Sequence, residues 1–136
     1  MPNYIKKIIS ENSISIVVCF YIEQNNVVEM GKKIKKTVSN PFGKFIIRFF
    51  PKIGLMNGYD WESFLNYYLK KNYPDVLMNM NTDPEAGMYV AFYDFGIDNE
   101  KKADKLVDII IDFIENERDS LQKIKEDGKL IQWNHN

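Results

Sequence analysis

Four carboxylates fall in two short pairs, Asp60 with Glu62 and Asp83 with Glu85. Carboxylates grouped in this way are the donors that a divalent cation takes, and with such an ion they could activate water in a small carboxylate- and metal-dependent enzyme. Each pair flanks its own turn, however, and neither spacing fixes a coordination geometry or brings a catalytic lysine or histidine beside it. Cys19 is the single cysteine and His135 the single histidine. One histidine argues against both a zinc cluster and a serine triad, and one cysteine excludes an internal disulfide. The residues therefore assign no catalytic, metal or cofactor site. A second chemistry is phosphate contact by Lys32, Lys33, Lys35 and Lys36, joined by Lys44, Arg48 and Lys52, as in a nucleic-acid-binding module. No arginine or base-stacking aromatic is interleaved with the first four lysines, so a solvated lysine face accounts for them better, and no direct nucleic-acid contact is expected.

The elements that must position these groups belong to a chain of 136 residues, 45% hydrophobic, 27% charged and 14% aromatic. That is enough to bury a core without staples, and residues 1–136 read as a single domain without repeats or linkers. No apolar run approaches the roughly 20 residues needed to cross a bilayer, and no cleavable signal pattern opens the sequence. A reducing cytoplasm is the expected location, with no membrane partner.

Asn57-Gly58 is the sharpest turn signal, a pair at ease with positive φ, and Asp60 follows where its carboxylate could cap a helix. Trp61, Phe64, Leu65, Tyr68 and Leu69 then recur at intervals of three and four, and Pro74 stops the helix. Tyr4 to Ile9 reads as an edge strand, closed by a turn at Ser10, Glu11 and Asn12. Ile14, Ile16, Val18, Phe20 and Ile22 form one face of a central strand whose other face, Val17, Cys19 and Tyr21, is also apolar. Asn26 to Glu29 has the spacing of a capping box for a helix burying Val27, Met30, Ile34 and Val38, which Asn40-Pro41 ends. Lys44 to Phe50 reads as a strand, with a short helix as the alternative, and Met88 to Tyr93 as a strand apolar on both faces. Asp98 is placed to cap a long helix with the stripe Ala103, Leu106, Val107, Ile110, Phe113 and Ile114. A short helix around Leu121 and Ile124 should end before Gly128, with Trp133 packed beyond it. The fold class is α+β, a small mixed or antiparallel sheet of about four strands packed against three to four helices.

Opposite the apolar stripe of the long helix lie Asp104, Asp108, Asp112, Glu115 and, if the helix runs that far, Asp119. At 100° per residue they share one narrow sector, and like charges four apart disfavour a helix by roughly 0.2–0.5 kcal/mol per pair. Ile111 is displaced from the stripe toward this sector, a candidate exposed anchor. Charge is also divided along the chain: residues 1–58 hold nine basic and three acidic residues, a formal +6, and residues 59–136 hold nine and sixteen, −7. Such a dipolar surface can steer an oppositely charged partner.

Asn57-Gly58-Tyr59-Asp60-Trp61-Glu62, followed about twenty residues later by Asp83-Pro84-Glu85-Ala86-Gly87-Met88 and a strand, resembles the immunity protein 51 family of bacterial polymorphic-toxin systems. The resemblance spans most of the chain and is weakest between Asn25 and Met56, where this sequence is longer than the family pattern. What it implies is an inhibitor acting in bacterial competition, which binds a cognate toxin domain and blocks its active or substrate site by occlusion, with no reaction of its own. Most of the shared motif serves the fold on this reading, and its exposed members, Glu62, Asp83 and Glu85, are interface candidates. The acidic row Asp104, Asp108, Asp112 and Glu115 would supply attraction and Ile111 an apolar anchor. A nuclease toxin would present a phosphate-attracting groove that carboxylates could fill.

Overall fold

Ile16, Val18 and Phe20 alternate along β2 (Ser15–Tyr21), and all three are wholly buried. Alternation of this kind places one side of a strand against a core. A computed structural model of the chain describes residues 1–10, 12, 14–128 and 131–133. In it β2 is central: β1 (Ile5–Ile9) pairs antiparallel on one side and β4 (Met88–Asp94) on the other. A two-residue β3 (Asn81–Thr82), not anticipated from the sequence, adds antiparallel to β4 and gives the order β1-β2-β4-β3. The register sets Phe20 opposite Tyr89, Val18 opposite Ala91 and Ile16 opposite Tyr93, so six wholly buried side chains floor the core. On the other face Cys19 is buried, whereas Val17, Tyr21, Met88, Val90 and Phe92 are only partly covered and Ile8 is exposed. Ile14, expected to continue the buried row, precedes the strand and is exposed.

The helices are α1 (Asn25–Val38), α2 (Pro41–Phe49), α3 (Gly58–Asn72), α4 (Pro74–Leu77), α5 (Ile97–Glu115) and α6 (Glu117–Asp127), with a 3₁₀ turn at Pro51–Gly54. The expected stripes of α1, α3 and α5 are buried in full. Their aromatic rings lock the layers together. Trp61 meets Phe20 edge-on at 5.0 Å, and Phe113 approaches Phe64 at 4.9 Å and Tyr68 at 5.2 Å. Truncating a ring such as Phe64 to alanine would cost about 3–5 kcal/mol. None of the helices among the described residues is long and apolar enough to cross a membrane.

Several expected helix starts are corrected. The α1 helix begins at Asn25 with Gln24 as its cap, so Asn26 lies inside the first turn and its capping box does not form; Glu29 instead pairs with Lys32. Asn57, not Asp60, caps α3. Its side chain accepts the Asp60 amide at 2.9 Å, while the Asp60 carboxylate accepts the Asn57 amide at 3.1 Å. This reciprocal box needs no positive φ, and no described glycine has one. Gly96 caps α5 without a side-chain bond, leaving Asp98 in its first turn. Of the segment read as a strand, with a short helix as the alternative, Lys44 to Phe49 belong to α2 and Phe50 caps it, so the alternative holds. Asn40 accepts the Gly43 amide at 2.7 Å and Pro41 occupies the first turn, a strong start signal that outweighs the β propensity of Phe and Ile. Glu11 and His135, which entered the reading of a turn and of a catalytic triad, lie outside the described residues.

Candidate interaction surface

Asp104, Asp108, Asp112 and Glu115 stand exposed along α5, as the 100° step requires. The row is not uniformly free. Lys7, reaching across from β1, contacts Asp104 at 2.5 Å and Glu100 at 3.4 Å. The hydrogen bond to Asp104 outweighs burial and raises the Lys7 ammonium above its ordinary value. Asp112 accepts a hydrogen bond from the Asn116 side chain. Asp108 and Glu115 have no hydrogen-bond or ion-pair partner among the described residues. Burial, with the charge of Glu115 adding to it, pushes the Tyr4 hydroxyl up to about 12. One expectation fails here and one condition is not met. Ile111 is half-buried and packs against the core, so it is not a free-standing anchor. The helix breaks at Asn116, so Asp119 belongs to α6 and does not prolong the row.

The other predicted acids lie where the two motif segments meet. The Gly58 amide donates to the Ala86 carbonyl at 3.2 Å, and the Thr82 hydroxyl donates to Glu62 at 2.5 Å. A Cβ at Gly58 would lie 1.8 Å from the Glu85 carbonyl oxygen and 2.5 Å from that of Met88. Glycine is needed for this approach of helix to turn, a different reason from the turn conformation expected of it. Asp60 is turned inward as part of the cap, with Lys35 at 3.7 Å, whereas Asp83 and Glu85 are exposed and Glu62 is half-buried. The four carboxylates do not converge. Among the described residues no group of three or more His, Cys, Asp or Glu side chains could hold a metal ion.

The surface that the sequence reading missed is α2 and the 3₁₀ turn after it. Phe42, Phe45, Phe49, Phe50 and Ile53 are 53–71% exposed, and α2 has no buried residue. The signal was present as Phe42, Phe45, Ile46 and Phe49 at intervals of three and four behind Asn40-Pro41, but it points an apolar stripe at solvent. Arg48 borders the stripe, Lys44 stands farther round α2 and Lys52 lies in the 3₁₀ turn, all exposed. The proposed phosphate-contacting lysines behave differently. Lys32 pairs with Glu29, Lys33 with Glu117 and Lys35 with Asp60, so much of that charge is internally balanced. The pairs of Lys33 and Lys35, with those of Lys7, also tie the basic and acidic parts of the sequence together in space.

A sequence profile of the family described as Immunity protein 51 matches residues 6–129. The chain belongs to the immunity protein 51 family. No curated protein and no solved structure matches it. In this immunity protein 51 member the two segments that carry the family resemblance form one clasp, the start of α3 held against the Glu85 to Met88 turn. The most recognisable residues of the immunity protein thus hold the fold together, and the α2 surface lies inside the matched span but outside that pattern.

Proposed function

We propose that this immunity protein neutralises a cognate toxin domain by binding it and covering its active or substrate site, without catalysing a reaction, in the cytoplasm of the cell it protects. The observation that carries the contact reading is the solvent-facing acidic row on α5, with Asp108 and Glu115 unpaired among the described residues. A helix tolerates such repulsion only weakly, and carboxylates held on a rigid helix suit a basic toxin groove. Asp104 and Asp112 extend the row, and Glu62, Asp83 and Glu85 form a second acidic edge at the clasp. Should the toxin be a nuclease, its groove must attract phosphate, and the row would compete for the same charge.

The test is co-expression with the toxin domain encoded beside this chain, followed by binding at low and high salt. Wild type should rescue growth and copurify. Asp108→Lys with Glu115→Lys, which removes no described contact, should weaken binding by about tenfold or more at low salt and less at high salt. Unchanged affinity at both would remove this face from the interface. Rescue without association would replace inhibition by an enzymatic antidote.

A further inference from the structure

We infer that the α2 surface is the apolar anchor of the toxin complex, and that it fits a toxin cleft that is apolar at its centre and edged with carboxylates; this rests on the immunity reading above. An anchor is required because charge mainly guides and orients association, whereas affinity concentrates in a few buried aromatic and arginine side chains. Ile111 cannot supply it, being packed against the core. The α2 surface has the composition of such an anchor: Phe45 and Phe49 in contact at 4.8 Å, Phe42 and Phe50 exposed on the same segment, and Arg48 on the same helix. Exposed apolar surface of this extent on a folded chain marks an interaction site.

The shape and charge around it choose the occupant. Beside the phenylalanine ridge, Phe42, Ile46, Ile53 and Trp133 line a groove of about 360 Å³, able to receive an apolar side chain. A ridge next to a groove calls for a partner with fixed relief, which a folded protein has and a bilayer lacks. No acidic residue occurs between Glu29 and Asp60, and at 100° per residue the exposed Arg48 borders the ridge, with Lys44 farther round α2 and Lys52 in the 3₁₀ turn, so an acidic facing rim complements it. A two-fold pairing of this surface with a second copy would set like charges against each other.

The experiment titrates the toxin domain encoded beside this chain with wild type, Phe45→Ser/Phe49→Ser, Lys44→Glu/Arg48→Glu, and Asp108→Lys/Glu115→Lys. Both α2 variants should melt like wild type, because Lys44, Phe45, Arg48 and Phe49 are all exposed. The phenylalanine pair should weaken binding by about 100-fold, and the charge reversal by about tenfold with a loss that shrinks in salt. Wild-type binding with the phenylalanine variant within about threefold of it would overturn the anchor and leave the immunity reading standing. Absence of wild-type binding would overturn both. Sedimentation of wild type with phosphatidylserine vesicles, lost in the phenylalanine variant, would assign the surface to membranes instead. Concentration-dependent self-association lost in that variant would assign it to a second copy.

Discussion

Gly58→Ala puts a methyl group where two backbone oxygens already stand, 1.8 Å and 2.5 Å away, although side-chain carbons essentially never come within 3.0 Å of another heavy atom. Both neighbours are main chain, so no rotamer change relieves the overlap. The start of α3 and the Glu85 to Met88 turn must separate by an ångström or so, which breaks the Gly58 amide bond to Ala86 and strains the Thr82 bond to Glu62. Each bond lost costs about 1 kcal/mol, the disturbed packing adds a similar amount, and the better helix propensity of alanine returns at most about 1 kcal/mol. The net loss is about 2–3 kcal/mol, a large share of the 5–15 kcal/mol typical of a domain, with a fall in Tm of roughly 10 °C. Urea unfolding followed by circular dichroism measures it. Gly96→Ala is the control, since nothing among the described residues lies within 4 Å of its added carbon, and should change stability by less than about 0.5 kcal/mol. Gly58→Asn separates the two explanations for this glycine: a left-handed backbone tolerates asparagine, and a crowded one does not. Wild-type stability in either Gly58 variant would refute the close approach.

Two tyrosines on the buried face of β4, with Ala91 between them, should respond oppositely to loss of the hydroxyl. Tyr93→Phe removes a buried bond to the Val76 carbonyl at 2.6 Å and should cost about 1–2 kcal/mol, whereas Tyr89→Phe removes a buried hydroxyl that has no partner among the described residues and should be neutral or stabilising in the same urea assay. Alkaline pH should unfold the protein. Burial pushes the Tyr4 and Tyr68 hydroxyls up to about 12, above the unfolded value near 10, so their contribution is intact below about pH 10 and lost as pH rises toward 12. Urea midpoints should hold steady from about pH 7 to 9 and fall above 10, with tyrosinate absorbance appearing together with unfolding; a steady midpoint through about pH 11.5 would refute this.

Where burial and periodicity agree, the residues announced their own structure. Ile16, Val18 and Phe20 behave as an alternating strand, and Trp61 through Leu69 and Ala103 through Ile114 as helical stripes, because hydrophobic burial drives each. The acidic row was legible for the same geometrical reason. Its partial neutralisation was not, since Lys7 comes from a strand nearly a hundred residues away. Asn40-Pro41 was read as the end of α1 when it also begins α2, and the segment behind it was read as a strand because its Phe and Ile content was weighed above that start signal. At Gly58 the residue type was informative but its cause lay in the Glu85 to Met88 turn, a contact that only the tertiary arrangement reveals. The clasp itself was visible as two motifs and invisible as one object.

The covering of the sheet on one side has a consequence for tolerance to change. Replacements at Ile16, Val18 or Phe20 must fit a space already claimed by rings from α3 and β4, whereas Val17, Val90 and Phe92 border water and can alter with little cost to the interior. Relatives with quite different outward strand residues can therefore share one architecture, and a dye or affinity handle attached along that open side would report on the protein while leaving its helices, and whatever docks on them, untouched.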